Sequence, residues 1–295
     1  MKIIMAEHAG FCFGVKRAVD AIEQALKNSN EVWTIGLPIH NPQEVSRLEA
    51  MGLRVADNES EIPDGAEILI RAHGEPLSVI KNLQARNIKV QDMTCPFVKK
   101  AQDMAENFSK KKYYIVLLGD KNHPEIKGIL GHVFDENAEN AEVIANEYEA
   151  ENIKHRAKIA LISQTTQREE KLSKAAGILT QKCSELHVCN TICRATAERQ
   201  DAAKELVKNN NVDGVVLIGG KTSANTGKLR DVIKSQDNKT EVLWVEDENE
   251  IESNSDWFKN KNVIGIAAGA STPAWLIDKI KSSIAEINFS GGIHQ

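Results

Sequence analysis

The sequence lacks any excess of basic residues. Its 37 lysines and arginines are outnumbered by 42 aspartates and glutamates, which gives a net charge of -5 at pH 7. Proteins that bind nucleic acid usually carry a basic excess, so the composition argues against such a partner. Apolar runs long enough to span a bilayer are also missing, and residues 1–5 are too short for the apolar core of a signal peptide. We therefore expect a cytoplasmic protein with no membrane partner.

Cysteine is scarce, with 5 among 295 residues. An odd number in a reducing compartment argues against a disulfide framework and favours metal binding or catalysis. The hydrophobic content of 41% and charged content of 27% are ordinary for a globular protein. The chain is long enough for two or three α/β units, each with its own core.

Three of the cysteines, Cys12, Cys95 and Cys193, stand directly before stretches in which apolar residues recur at helical spacing. An apolar strand follows each predicted helix and ends at a glycine. That glycine lies 24 residues after Cys12, 24 after Cys95 and 26 after Cys193, at Gly36, Gly119 and Gly219. The recurrence indicates one unit repeated three times.

The remainder of each unit repeats as well. A helix, a short strand and a further apolar strand ending in a polar loop follow each glycine, and another helix and strand then lead to the next cysteine. The last unit has no such final strand, and residues 2–5 at the chain start supply it. Strands alternating with helices predict parallel sheets, so the fold class is α/β with three similar units closed into a ring. We predict units over residues 13–95, 96–193 and 194–285, the last completed by residues 1–12, with a C-terminal tail over 286–295.

Ligands of parallel α/β sheets bind beyond the carboxyl ends of the strands, and all three repeated cysteines are predicted there. Three thiolates meeting at one centre suit a metal or an iron–sulfur cluster. A 4Fe-4S cluster held by three cysteines leaves one iron without a protein ligand, and that iron can act as a Lewis acid. The alternative is that Cys12, Cys95 and Cys193 are small buried hydrophobic residues, which the repeat disfavours.

The other two cysteines, Cys183 and Cys189, have no counterpart in the other units. Together with His187 and Cys193 they could form a local zinc site, but their spacing matches no common zinc pattern. We predict that both are structural.

The polar loops after the strands are typical of an anion receptor. Histidine side chains donate hydrogen bonds and carry positive charge near neutral pH, and helix N-termini add partial positive charge. The candidate donors are His40, His73, His123, Thr165, Ser223, Asn225 and Ser271. Glu125, two residues after His123, is suited to proton delivery. The competing interpretation is that the histidines cap their loops and that Glu125 is solvated.

Several motifs taken together resemble the 4-hydroxy-3-methylbut-2-enyl diphosphate reductase family, over nearly the whole chain. They are Ala9-Gly10-Phe11-Cys12-Phe13-Gly14-Val15, Arg71-Ala72-His73-Gly74, Thr94-Cys95-Pro96, His123-Pro124-Glu125, Gln164-Thr165-Thr166, Asn190-Thr191-Ile192-Cys193 and Gly269-Ala270-Ser271-Thr272-Pro273.

The resemblance implies a trefoil-like, pseudo-three-fold fold around a 4Fe-4S cluster bound by Cys12, Cys95 and Cys193. It implies reductive dehydroxylation of an allylic diphosphate with two electrons and two protons, the substrate hydroxyl binding the open iron. Glu125 would deliver protons and Thr165 would hold the hydroxyl. Reduced ferredoxin or flavodoxin would be the electron donor.

The resemblance also implies a diphosphate pocket. Its residues would be His40, His73, His123, Ser223, Ala224, Asn225 and Ser271. Ala224 stands where the family usually carries a second serine, so the side-chain hydroxyl is missing there while the backbone amide remains.

Two other classes of protein compete with this interpretation. A non-catalytic iron–sulfur electron carrier would normally saturate its cluster with four protein ligands and would need no anion pocket. A protein with a structural zinc at Cys183, Cys189 and Cys193 would contain zinc in place of iron and sulfide. Metal analysis separates the zinc protein from the other two.

Overall fold

A computed structural model gives the fold over residues 1–134, 140–236 and 240–290. Strands and helices alternate along these residues. The strands are β1 (Lys2–Met5), β2 (Val32–Ile35), β3 (Leu53–Ala56), β4 (Glu67–Ile70), β5 (Lys89–Asp92), β6 (Tyr114–Leu118), β7 (Ala141–Ile144), β8 (Arg156–Ser163), β9 (Cys183–Cys189), β10 (Gly214–Ile218), β11 (Glu241–Val245) and β12 (Val263–Ala268). The helices are α1 (Phe13–Asn28), α2 (Pro42–Ala50), α3 (Leu77–Ala85), α4 (Pro96–Lys110), α5 (Pro124–Leu130), α6 (Glu169–Leu179), α7 (Arg194–Asn210), α8 (Ala224–Gln236), α9 (Asn249–Ser253) and α10 (Ala274–Ser290).

The strands form three four-stranded sheets with one topology. Their orders are β3-β2-β4-β5, β7-β6-β8-β9 and β11-β10-β12-β1, and every neighbouring pair is parallel. In the third sheet the N-terminal strand β1 pairs with β12, Ile3 opposite Ile264. The predicted α/β class with three parallel-sheet units is confirmed.

The central strands are apolar throughout because both sheet faces are covered, as is usual for parallel sheets. In β6, Ile115 and Leu117 belong to one hydrophobic cluster, whereas Val116 and Leu118 belong to another. The strand β10 divides its side chains between two clusters in the same way. Burial of both faces leaves the ends of these strands as the places where polar loops meet solvent.

The chain divides into two compact units. Residues 1–16, 39–50 and 194 onward form the first, which we call the terminal unit, and it contains the sheet of β1. Residues 17–38 and 51–193 form the second, called the central unit, with the other two sheets. The predicted boundaries at residues 95 and 193 remain predictions. Residues 286–290 of the predicted tail belong to α10, and residues 291–295 lie outside the described residues.

The glycine that ends the first strand of each repeat has a repeated backbone bond. Its amide donates to the carbonyl of the last residue of the neighbouring short strand, as Gly119 does to Ile144 at 2.9 Å. A Cβ on Gly119 would lie 2.6 Å from Ile126 and 2.9 Å from Gln164. A glycine at this point therefore lets α5 and the loop after β8 approach the strand end closely. Within residues 1–134, 140–236 and 240–290, no helix combines the length and apolar character needed to cross a membrane.

Candidate active site

The three repeated cysteines have the same backbone anchor. Each cysteine amide donates to a carbonyl two residues past the end of a central strand, β12, β4 or β8. The bonds run from Cys12 to Ala270 (3.0 Å), from Cys95 to Ala72 (3.0 Å) and from Cys193 to Thr165 (2.8 Å). All three cysteines are half-buried and outside any disulfide. The sequence repeat thus corresponds to a structural one, and each thiol stands at the carboxyl end of a parallel sheet.

The remaining two cysteines have different surroundings. Cys189 is buried in the cluster beneath α4, and Cys183 packs at the edge of the cluster on the opposite face. Burial raises the pKa of the Cys189 thiol to about 11 and raises that of Cys183 as well. In the described residues, Cys183, His187, Cys189 and Cys193 do not bring three ligand atoms close together, as tetrahedral zinc would require.

The histidine in the loop after β6 caps a helix. The sequence His123-Pro124-Glu125 places a proline at the first position of α5, where its missing amide costs nothing. Nδ1 of His123 accepts a hydrogen bond from the backbone amide of Glu125 at 3.1 Å. Neutral His123 therefore carries its proton on Nε2, which makes that nitrogen a hydrogen-bond donor.

Glu125 is held at its other end by Thr165. The Thr165 amide donates to Oε1 at 2.6 Å and the Thr165 hydroxyl to Oε2 at 2.9 Å, although 40 residues separate the two. Both residues are buried, Glu125 with 2% of its surface exposed. The Thr165 carbonyl also accepts a hydrogen bond from the Cys193 amide. The His123 ring, the Glu125 carboxylate and the Cys193 backbone are therefore linked through successive hydrogen bonds.

His73 lies in a tight turn next to His123. The two rings contact edge to face, with centroids 5.4 Å apart. Gly74 follows with a φ of +74°, and a Cβ there would lie 2.2 Å from Nε2 of the buried Gln102. Only glycine combines that backbone conformation with so close an approach.

A buried ion pair flanks the same turn. Nε of Arg71 donates to Oε1 of Glu75 at 3.1 Å. Burial lowers the pKa of Arg71 and raises that of Glu75, and in each case the partner's charge opposes the shift. The carbonyl of Glu75 in turn contacts the buried His132 ring at 3.3 Å. These contacts fix the chain on either side of His73.

In the terminal unit, His40 and Ser271 lie together. The Ser271 hydroxyl donates to the His40 carbonyl at 3.1 Å. A Cβ on Gly220 would lie 2.4 Å from that carbonyl oxygen, so the loop after β10 also packs against His40. Ser271 thereby supports the backbone of His40, one of the residues predicted to bind an anion.

Asn225 lies in the first turn of α8. The Ser223 hydroxyl accepts the Thr226 amide at 3.3 Å, as expected of a helix cap. Nδ2 of Asn225 is buried and has no hydrogen-bond partner within the described residues. A buried donor of this kind is expected to meet an acceptor from a ligand or from water. Ala224 begins α8, but its side chain lies outside the described residues.

Sequence reasoning missed Gln164 as a site residue. Its Oε1 accepts the Asp120 amide at 3.1 Å, while its buried Nε2 has no partner among the described residues. The available signal was its place beside Thr165 in a polar loop. Gln102 was missed too, because a polar residue in the middle of α4 gives no local sign of contact with a distant turn.

The fold and these side chains define an α/β protein. Thiols, hydrogen-bond donors and a carboxylate that is hydrogen-bonded to Thr165 lie at the carboxyl ends of its parallel sheets. This arrangement is typical of an enzyme active site.

Comparison with known proteins gives the family. A sequence model of the LytB protein family matches residues 3–285. A 4-hydroxy-3-methylbut-2-enyl diphosphate reductase from Helicobacter pylori strain Shi470 is 42% identical over 97% of this chain and 100% of its own. The reductase of the same name from Aquifex aeolicus is 41% identical over 97% of this chain and 96% of its own. The chain belongs to the LytB family and is an enzyme.

Solved structures agree with this assignment. One, described as (E)-4-hydroxy-3-methyl-but-2-enyl diphosphate reductase, the terminal enzyme of the non-mevalonate pathway, is 38% identical with a TM-score of 0.69, covering 97% of this chain and 99% of its own. A reductase structure from Plasmodium falciparum has a TM-score of 0.84 at 22% identity, covering 99% of this chain and 89% of its own, and it supports the fold alone.

Proposed function

We propose that this chain converts (E)-4-hydroxy-3-methylbut-2-enyl diphosphate, two electrons and two protons into isopentenyl or dimethylallyl diphosphate and water. The activity for which its relatives are named, and their similarity over nearly the whole chain, support the reaction. The observation that carries it is the repeated bond from each of three cysteine amides to the loop after a central strand.

Cys12, Cys95 and Cys193 are the proposed ligands of a 4Fe-4S cluster. Their equivalent anchors, their partial exposure and the absence of disulfides fit thiolate ligands, whereas the raised pKa values of Cys183 and Cys189 disfavour those two. When bound, such a cluster supplies electrons and one iron open to an oxygen ligand.

The proposed diphosphate ligands are the side chains of His40, His73, His123, Ser223, Asn225 and Ser271, with the backbone of Ala224. The tautomer of His123 supports this role because it leaves an Nε2 proton to donate. The buried Nδ2 donor of Asn225 supports it independently. Ser271 also serves by supporting the His40 backbone.

Glu125 and Thr165 are the proposed proton-delivery pair. One proton leaves with the substrate hydroxyl as water, and the other is added to carbon. Thr165 would hold the substrate hydroxyl, and Glu125, 2.9 Å from the Thr165 hydroxyl, would in its protonated form give the proton with which the substrate hydroxyl leaves as water. Reduced ferredoxin or flavodoxin as donor and a cytoplasmic location stay predictions from the sequence.

The test is replacement of each cysteine by serine, with iron, sulfide and turnover measured anaerobically. We expect Cys12→Ser, Cys95→Ser and Cys193→Ser to lose turnover and bind less iron, while Cys183→Ser and Cys189→Ser keep iron. An active, fully loaded Cys193→Ser protein would contradict the assignment.

A second measurement separates an enzyme from an electron carrier. The loaded protein is mixed with a reduced low-potential donor, and donor oxidation is followed with and without the allylic diphosphate. Oxidation that depends on substrate and yields isoprenyl diphosphates is expected. Oxidation that ignores the substrate would favour the carrier.

A further inference from the structure

Two arginines contact the backbone that leads to the cysteines. Arg199 is in α7, the helix that begins after Cys193, and only 6% of it is exposed. Its Nη2 donates to the carbonyl of Gly10 at 2.7 Å, and its Nη1 donates to the carbonyl of Ala195 at 2.9 Å. The guanidinium of Arg199, in the helix after Cys193, therefore contacts the loop that leads to Cys12.

Gly10 is a sensitive point in that loop. It has a φ of +107°, and a Cβ added to it would lie 3.5 Å from Ile277. Two residues later, the Cys12 amide donates to the carbonyl of Ala270. A bond to the Gly10 carbonyl fixes the orientation of this peptide, and hence the direction in which the chain enters Cys12. Bonds from a charged donor are among the stronger hydrogen bonds in proteins.

Arg17 has the corresponding role one unit along the chain. It lies in α1, the helix that begins after Cys12, and its Nη1 donates to the carbonyl of Thr94 at 3.1 Å. Thr94 immediately precedes Cys95. In sequence, Arg17 is the fifth residue of its helix and Arg199 the sixth of its own.

The third helix of the set differs. In α4, after Cys95, the fifth residue is Lys100, which is exposed. Its charge acts on Cys189, at the end of the strand that leads to Cys193, where it partly opposes the effect of burial on the thiol pKa. No bond joins this lysine to the backbone among the contacts of the described residues, so only the two arginines are assigned a role.

We propose that Arg17 and Arg199 are positioning residues, each holding the loop of one cysteine from the helix that follows another. Arg199 sets the Cys12 loop and Arg17 sets the Cys95 loop. This proposal rests on the proposed function in taking the cysteines as cluster ligands. The consequence is specific. Loss of either arginine loosens the loop of the cysteine that it contacts, and leaves unchanged the loop of the cysteine that precedes its own helix.

The experiment is hydrogen exchange of the purified protein, read on peptides that contain Cys12, Cys95 or Cys193, together with the rate of iron loss to a chelator. The variants are Arg199→Gln, Arg199→Lys and Arg17→Gln. Arg194→Gln is the matched control, since Arg194 lies in α7 beside Cys193 but its side chain is 85% exposed in an ion pair with Glu198.

We expect Arg199→Gln to speed exchange at Cys12 at least about tenfold while Cys95 exchanges as before, and Arg17→Gln to do the reverse. Iron should leave both variants faster than Arg194→Gln. Arg199→Lys should lie between, since an ammonium retains the charge but not the fork that serves two carbonyls. If Arg199→Gln does not fold, Arg199→Lys is compared with Arg194→Gln in its place.

Exchange in Arg199→Gln and Arg17→Gln no faster than in Arg194→Gln would overturn the proposal, as would an equal rise at all three cysteines. The exchange measurement does not need bound iron. A wild-type protein that binds no iron would therefore contradict the proposed function, while the crossed exchange pattern would still decide the role of the arginines.

Discussion

Glu125 is the residue whose surroundings say most about chemistry. Its backbone is tied to the ring of His123, and both of its carboxylate oxygens accept hydrogen bonds from Thr165. The backbone of Glu125 is thus fixed within its own loop, and its carboxylate is fixed by the loop after β8. Such a group is oriented before any substrate arrives, as proton transfer requires.

The first prediction concerns Glu125→Gln. Glutamine keeps the size of the side chain and can still accept from Thr165, but it cannot deliver a proton. We expect turnover to fall roughly 10²–10⁴-fold while iron content and diphosphate binding stay near wild type. Steady-state rates, cluster absorbance and binding are measured on one preparation. Near-normal turnover would mean that the proton has another source.

The second prediction concerns Cys189, whose pKa is raised to about 11 by burial from an ordinary value of 9.0. The folded state therefore holds the thiol proton in a range where the unfolded state has lost it. By linkage, this contribution to stability is fully present below about pH 9 and is lost as the pH rises to about 11.

The check is urea unfolding of wild type and Cys189→Ala between pH 8 and 12. We expect wild type to lose stability more steeply than the variant from about pH 9 to 11, the alanine lacking this titration. The comparison cancels the tyrosines and lysines that titrate in the same range. Parallel curves would show that Cys189 ionises equally in both states.

At the scale of elements, the turn after β4 is the most constrained connection near the site. It must bring Ala72 to the Cys95 amide, place His73 beside His123 and let Gln102 of α4 pack against Gly74. The positive φ of Gly74 allows the turn to make all three contacts.

The third prediction compares Gly74→Ala with Gly65→Ala. Both glycines have a positive φ, +74° and +78°, but a Cβ on Gly65 would have no atom within 4 Å. Gly65→Ala should therefore lose about 1–2 kcal/mol from backbone strain alone. Gly74→Ala should lose about 1–3 kcal/mol more through overpacking against Gln102.

The measurement is the free energy of unfolding of each variant, with diphosphate affinity measured alongside. Gly74→Ala should also weaken diphosphate binding because it displaces His73, whereas Gly65→Ala should leave binding unchanged. Equal losses of stability in the two variants would mean that Gln102 moves aside without cost.

At the scale of the molecule, binding of diphosphate is expected to stabilise the folded state of the whole chain. Inorganic diphosphate should raise the unfolding temperature, since a ligand at 100 times its Kd adds about 2.7 kcal/mol to stability.

In the fourth prediction, His40→Ala and Asn225→Ala each weaken diphosphate binding by about 1–3 kcal/mol, the value of a hydrogen bond to a charged group. His155→Ala is the control, being an exposed histidine outside the predicted set. Titration calorimetry gives the affinities. An unchanged affinity in both test variants would remove these residues from the pocket.

Much of the fold follows from local pattern. Helical spacing after Cys12, Cys95 and Cys193 and the apolar strands ending in glycine predicted the three sheets, because burial of both faces leaves a continuous apolar signal. Boundaries were less exact. The sequence predicts a strand that leads to Cys193 without fixing its ends. In the structure this strand extends over Cys183–Cys189, since Cys183 and Glu185 pair with Arg156 and Lys158 of β8.

The sequence by itself determined the repeat, the parallel sheets and the residue types at each strand end, since all three depend on spacing along the chain. Tertiary structure alone decided the partners: Thr165 for Glu125, Gln102 beside Gly74, and Arg199 on the carbonyl of Gly10, 189 residues away. Hydrogen bonds and close contacts of this kind depend on how elements dock. Periodicity records which face of an element is buried, but not which distant side chain meets it there.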